Sequence, residues 1–128
     1  MPVYTSEVDT LLEIKKRFKK EGKLNRAPSR GCLYAPRFNS IGCAVGCLFS
    51  YEDALRCDRD GITIREVHEL LPEIYSEYFS DDLLHILNVV QELHDEAHDY
   101  NNFMSRLDAV IKELKKKRGR HENTSVHH

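Results

Sequence analysis

Apolar residues recur at the three- and four-residue spacing of an α-helix in three long stretches of the chain. The first stretch contains Val8, Leu11, Leu12, Ile14 and Phe18. Ser6 precedes this stretch as a good N-cap, and Gly22 follows it as a good stop signal. The pattern therefore predicts a helix over residues 6–21.

The other two stretches lie in the second half of the chain. One follows Ser80 and contains Leu83, Leu84, Ile86, Leu87, Val90, Leu93 and Ala97. The other contains Phe103, Leu107, Val110, Ile111 and Leu114. Asn101 or Asn102 is the expected N-cap of this last helix. The short polar turn near residues 99–102 predicts that the two helices form an antiparallel αα-hairpin.

Shorter helices are predicted between these stretches. Residues 43–49 form an apolar run that predicts a short buried helix, and Ser50 is the expected N-cap of a helix over 51–57. Thr63 and Glu66 have the spacing of a capping box, which opens a helix that Pro72 interrupts or restarts. The chain is therefore predicted to be an all-α domain of about five helices that ends in a long αα-hairpin.

Residues 23–42 have no periodicity and include two prolines, so they predict a long loop that bears Cys32. Within this loop, residues 33–38 are a candidate for one short β-hairpin. The chain becomes polar after residue 118. We therefore expect a single helical domain over 1–118 and a disordered polar tail over 119–128.

The composition is that of a globular protein, with 41% hydrophobic and 31% charged residues among 128. No run of 18 apolar residues is present, and the first residues lack the pattern of a signal peptide. We therefore expect a cytoplasmic protein without membrane association, in which cysteines are thiols or metal ligands rather than disulfides.

Charge is strongly segregated along the chain. Residues 1–50 contain nine basic and four acidic residues, residues 51–114 contain five and sixteen, and residues 115–128 contain five and one. An acidic body repels a phosphate backbone, so a nucleic-acid partner is not favoured, although the basic ends could contact phosphate locally.

Four cysteines within 26 residues are the most distinctive chemical feature. Cys32, Cys43, Cys47 and Cys57 could together form a tetrahedral zinc site, but they lack the close Cys-x2-Cys spacing of common zinc modules. Small residues interleave with Cys43 and Cys47, which is typical of tight helix packing. We favour buried thiols over a structural zinc site, and therefore predict no cofactor, with zinc as the alternative.

A cysteine-dependent enzyme is a weaker hypothesis. Cys43 lies at a predicted helix start, where a thiol is more acidic, and His94 with Asp95 could supply a base and an orienting carboxylate. Adjacent helical side chains point about 100° apart, however, so Asp95 is poorly placed to orient His94. His94 and His98 have the i, i+4 spacing of metal ligands, but we favour a polar surface for His98 and a partly buried position for His94.

The long loop mixes basic and aromatic side chains. The candidate binding residues are Arg26, Arg30, Tyr34, Arg37 and Phe38. Such residues can stack on bases and bind phosphate. They can equally contact the acidic body of their own domain, and we favour this second interpretation because it requires no ligand.

Two motifs of residues 32–47, which we call the cysteine segment, resemble an uncharacterised family of small bacteriophage and prophage proteins. Gly31-Cys32-Leu33-Tyr34-Ala35-Pro36-Arg37 resembles its Cys-x-Tyr motif, and Gly42-Cys43-Ala44-Val45-Gly46-Cys47-Leu48 resembles its Cys-Ala-(Ile/Val)-Gly-Cys-Leu block. A downstream His-Asp element is matched loosely by Val90–Asp95. The resemblance implies phage or prophage origin and no particular reaction.

These features predict a small phage-type accessory protein in the host cytoplasm that binds a host or phage protein and is more plausibly not an enzyme. One alternative is a zinc-stabilised regulatory module. The other is a cysteine-dependent hydrolase or transferase.

Overall fold

A computed structural model describes the backbone of residues 2–22, 44–60 and 63–126, and the side chains of residues 2–22, 44–57 and 63–117. These parts contain six α-helices, which confirms the all-α prediction. They are α1 (Glu7–Glu21), α2 (Tyr51–Asp60), α3 (Ile64–Leu70), α4 (Pro72–Tyr78), α5 (Leu84–Glu96) and α6 (Tyr100–Val126). The predicted β-hairpin at residues 33–38 lies outside the described residues. No helix in the described part is both long and apolar enough to cross a membrane.

The ends of α1 are fixed by the residues that the sequence predicts. The Ser6 hydroxyl accepts a hydrogen bond from the Asp9 N–H at 3.3 Å. At the other end, Gly22 adopts φ 77° and donates its N–H to the Phe18 carbonyl at 2.7 Å. A residue with a Cβ is strained in this left-handed conformation, which explains why α1 stops at a glycine.

The short helices α2 to α4 also begin where predicted. The Ser50 hydroxyl accepts from the Asp53 N–H at 3.2 Å, although α2 continues to Asp60, beyond the predicted end at residue 57. Thr63 and Glu66 form a complete capping box at the start of α3. Pro72 is at the first position of α4, where its missing N–H costs no hydrogen bond.

The predicted αα-hairpin is formed by α5 and α6, but its cap differs from the prediction. The Asn102 N–H donates to the Asp99 carboxylate at 2.8 Å. Neither Asn101 nor Asn102 is the N-cap, because α6 begins at Tyr100 and the Asp99 side chain reaches the N–H three residues on. Helix α6 continues to Val126, through most of the tail that the sequence predicts to be disordered, and the side chains beyond residue 117 lie outside the described residues.

Helices α1, α5 and α6 enclose the main core. The Phe18 and Phe103 rings are 5.1 Å apart, and Lys15 forms an ion pair with Asp108 at 2.7 Å. Higher residue numbers on α1 therefore pair with lower residue numbers on α6, so the two helices are antiparallel. Other fully buried side chains of this core are Leu11, Ile14, Leu83, Leu87, Val90 and Leu107.

Residues 44–49, the described part around Cys47, form a tight turn within the core. Residues 44–49 are all buried, which confirms the predicted burial, but the helix within them is the 3₁₀ helix Gly46–Leu48. Its bonds run from Leu48 N–H to the Val45 carbonyl and from Phe49 N–H to the Gly46 carbonyl. These three-residue spacings define a 3₁₀ rather than an α-helical turn.

The residues before α1 are held against the segment between α4 and α5. Tyr4 donates its N–H to the Tyr78 carbonyl at 2.7 Å and accepts from the Ser80 N–H at 3.0 Å. The Tyr4 ring stacks on Phe79 with centroids 5.8 Å apart. This isolated parallel bridge ties the N-terminal segment to the α4–α5 junction.

Loss of the Thr63 hydroxyl should destabilise the fold measurably. Thr63→Ala removes the acceptor for the Glu66 N–H, whereas the Glu66 carboxylate keeps its hydrogen bond from the Thr63 backbone N–H. We expect a decrease of about 1 kcal/mol in the free energy of unfolding, measured by urea titration. Thr5→Ala, at an exposed threonine outside any helix, is the matched control and should change stability little. Equal effects of the two substitutions would contradict the role of the cap.

Candidate functional site

Cys47 is the cysteine whose environment the structure describes most fully. Its side chain is 6% exposed, and its thiol donates to the Ala44 carbonyl at 3.3 Å. Its own carbonyl accepts a hydrogen bond from the Arg17 guanidinium of α1. Cys47 is therefore fixed to α1 by a hydrogen bond to its backbone carbonyl, and its burial agrees with the favoured interpretation of a packed thiol.

The electrostatics of Cys47 oppose a reactive thiol. Burial raises the pKa of the Cys47 thiol to about 12, the Arg17 charge partly opposes this, and Glu13 adds to it. A nucleophilic cysteine needs a thiolate near neutral pH. The free thiol of Cys47 remains protonated there, so its chemistry is that of a small apolar core residue.

The zinc hypothesis depends on residues that lie partly outside the described chain. Cys57 is fully buried on α2, whereas Cys32 and Cys43 are not among the described residues. Within residues 2–22, 44–57 and 63–117, no three His, Cys, Asp or Glu side chains are grouped closely enough to hold a metal ion. Convergence of the four thiols thus stays a prediction, as does a role for Cys43 as a nucleophile.

His94 is fully buried, which goes beyond the partly buried position that the sequence favours. Its ring contacts Phe18 of α1 and Phe103 of α6, with centroids 5.7 and 5.5 Å apart. Both contacts are edge-on, an arrangement that aromatic rings favour. We call Phe18, His94 and Phe103 the ring cluster, since these three side chains join α1, α5 and α6.

Asp95 lies beside His94 but in a different environment. Its carboxylate is 3.5 Å from His94 Nδ1, at the limit of a hydrogen bond, and its side chain is 43% exposed. The wide separation matches the poor orientation expected of adjacent helical residues. A strong orienting hydrogen bond of the kind found in catalytic triads would be shorter.

His98 does not share a helix face with His94. Helix α5 ends at Glu96, and Ala97 is extended, so the i, i+4 relation that would allow chelation is lost. His98 is exposed, as predicted, and its backbone N–H donates to the Asn102 side chain at 3.3 Å. The predicted binding residues Arg26, Arg30, Tyr34, Arg37 and Phe38 lie outside the described residues.

The hydrogen-bond network around Tyr78 is not predicted from the sequence. Tyr78 donates its hydroxyl to the Asp53 carboxylate at 2.7 Å and accepts from the Ser50 N–H at 3.0 Å. Burial raises the pKa of Tyr78, the Ser50 contacts oppose this, and Asp53 adds to it. The phenol therefore stays protonated at neutral pH and holds the start of α2 against the end of α4.

The second turn of α2 also contacts α4. Arg56 forms an ion pair with Glu73 at 3.2 Å, which makes α2 antiparallel to α4 when taken with the Tyr78–Asp53 bond. Ala54 and Cys57 are its fully buried side chains within the described residues.

The outer face of α2 exposes two apolar side chains one helical turn apart. Tyr51 is 58% exposed and Leu55 is 36% exposed. Both lie on the flank of α2 opposite to Asp53 and Arg56, which contact α4. Their i, i+4 spacing within a predicted helix is the sequence signal that could have identified this face.

The buried Cys47 thiol should make stability sensitive to high pH. Its pKa is about 12 in the fold against an ordinary value of 9.0, so its contribution is complete below pH 9. Above pH 9 the unfolded chain loses this proton before the native chain does. The free energy of unfolding should then fall by about 1.4 kcal/mol per pH unit from this group.

Urea unfolding of the wild-type chain and of Cys47→Ala between pH 8 and 10.5 measures this effect. Cys57 and the tyrosines contribute to both chains, so they cancel in the comparison. We expect a flatter pH dependence in Cys47→Ala, and parallel curves would contradict the burial of a protonated thiol.

Comparison of the chain with protein-family models, with curated proteins and with solved structures gave no match in any of the three. The resemblance to small bacteriophage and prophage proteins therefore rests on the two motifs of the cysteine segment.

Proposed function

We propose that this protein is a small phage-type accessory protein that binds a host or phage protein through the outer face of α2. The observation that carries this proposal is the exposure of Tyr51 and Leu55 on one face of a helix that is anchored on its other side. The resemblance of the cysteine segment to phage proteins supports the proposed origin.

The arrangement of α2 suits recognition by insertion of a helix face into a groove. In this mode, apolar side chains at i and i+4 are the anchors. Tyrosine is enriched among interface residues that dominate binding energy, because it buries a large area with few rotatable bonds. The bonds from Asp53 to Tyr78 and from Arg56 to Glu73 hold the opposite flank of α2, so Tyr51 and Leu55 face outward for a partner.

Charge indicates the chemistry of the partner surface. Residues 51–114 carry eleven more acidic than basic residues. Glu52, which follows Tyr51 in the first turn of α2, is exposed. A complementary partner would offer an apolar groove bordered by Lys or Arg. Such complementarity speeds association and excludes acidic competitors.

Removal of both apolar side chains should abolish capture of the partner. The double variant Tyr51→Ala/Leu55→Ala deletes the two anchors while leaving the buried Ala54 and Cys57 unchanged. Loss of one binding anchor typically costs about 2 kcal/mol, so we expect the dissociation constant to rise at least about 30-fold. Tagged chains would capture the partner from a lysate of the bacterium that carries the gene, and titration with the purified partner would give the affinities.

Leu70→Ala provides the matched control, since Leu70 is an exposed apolar residue, 62% exposed, that belongs to α3 rather than α2. The control should retain the partner that the double variant loses, with all chains showing equal helicity by circular dichroism. Retention of every captured protein by the double variant would contradict the proposal. Equal loss in both variants would place the interface elsewhere.

A further inference from the structure

The C-terminal half of α6 extends beyond the helix that packs against it. Lys15 pairs with Asp108 and Phe18 with Phe103, so the two antiparallel helices share a register in which paired residue numbers add to about 122. The first residue of α1, Glu7, is then level with about Lys115. Helix α6 continues to Val126, and a rise of about 1.5 Å per residue makes this extension roughly 16 Å long.

The start of this extension is basic and open to solvent. Lys112, Lys115, Lys116 and Lys117 are all exposed. Lys112 and Lys116 are four residues apart and lie on one face, with Lys115 beside them. The sequence continues with Arg118 and Arg120, so residues 115–128 contain five basic residues and one acidic residue.

The location of this charge matters as much as its amount. The basic residues of α1 that are exposed, Lys16, Lys19 and Lys20, lie near its C-terminal end. Because α1 and α6 are antiparallel, that end is level with the start of α6 and far from Lys115. The two basic clusters are therefore at opposite ends of the helix pair, and the acidic residues of 51–114 lie between them in the sequence.

We propose that the start of the α6 extension, Lys115–Lys117, together with Lys112 one turn before it, is a contact site for the phosphate backbone of nucleic acid. Compact Lys/Arg-rich segments bind phosphate by releasing condensed counterions, without reading sequence. The acidic body repels the same backbone, so contact is confined to the extension and the body points away from the strand. This surface is separate from the outer face of α2, so a protein partner and a nucleic acid could be bound together.

The test is fluorescence anisotropy of the full chain with a labelled 30-nucleotide single strand and a labelled 20-base-pair duplex. The triple variant Lys115→Gln/Lys116→Gln/Lys117→Gln removes three charges from the extension. Lys16→Gln/Lys19→Gln/Lys20→Gln is the matched control, because it makes the same change in net charge at the opposite end. Circular dichroism checks that both variants remain folded.

We expect the wild-type chain to bind both probes at 50 mM salt and to lose affinity steeply by 200 mM. Each neutralised phosphate adds about 0.7 to 0.9 to the slope of log affinity against log salt. The extension variant should therefore bind at least about 10-fold more weakly at 50 mM salt and lower the slope by about 2 to 3. The α1 variant should bind within about threefold of wild type.

Three results would overturn the proposal. The first is absence of binding to either probe at 50 mM salt. The second is equal weakening by the two triple variants, which would indicate an effect of net charge alone. The third is equal affinity for polyglutamate of matched charge, which would indicate an acidic protein rather than nucleic acid as the partner.

Discussion

The burial of three rings at the meeting point of α1, α5 and α6 is the constraint on which the described structure depends. Phe18 comes from the last turn of α1, His94 from the last turn of α5 and Phe103 from the first turn of α6. All three are fully buried and lie within 6 Å of one another, centroid to centroid. Aromatic pairs in this geometry add about 0.5 to 1.5 kcal/mol each beyond the burial of their area.

The parts outside this three-helix frame share its apolar core and are also attached by specific polar contacts. Arg17 of α1 donates to the carbonyl of Cys47, which fixes this residue against the frame. Tyr78 then connects α4 to the start of α2 through Asp53 and the Ser50 N–H. Helix α2 is thus connected to α4 through Tyr78. Its outer face remains exposed.

The features that the sequence predicts well are those set by residues close together in the chain. The Ser6 cap, the Gly22 stop and the capping box at Thr63 each involve residues three or four apart, so a linear pattern contains them fully. The N-cap of α6 was misassigned because Asp99 and Asn102 are both good capping residues, and the pattern alone does not fix which one precedes the first turn.

The contacts that the sequence does not predict join distant positions. Asp53 and Tyr78 are 25 residues apart, and Arg17 and Cys47 are 30 apart. The sequence predicts only partial burial of His94, and the reason is local rather than long-range. Leu93 and His94, the third and fourth residues after Val90, can both lie on the buried face of a helix. The apolar side chain of Leu93 favours Leu93 for the buried position. The buried series at 83, 87, 90, 94 and 97 shows that spacing was the better guide.

Amide hydrogen exchange of the native chain tests the central claim most directly, namely that a rigid frame around the ring cluster carries a more weakly held α2. Amides of α1, α5 and α6 near Phe18, His94 and Phe103 should exchange only through global unfolding, with protection equal to the full free energy of unfolding. Amides of α2 should exchange through a smaller, local opening. Equal protection in α2 and the frame, or earlier opening of α1 than of α2, would contradict this account.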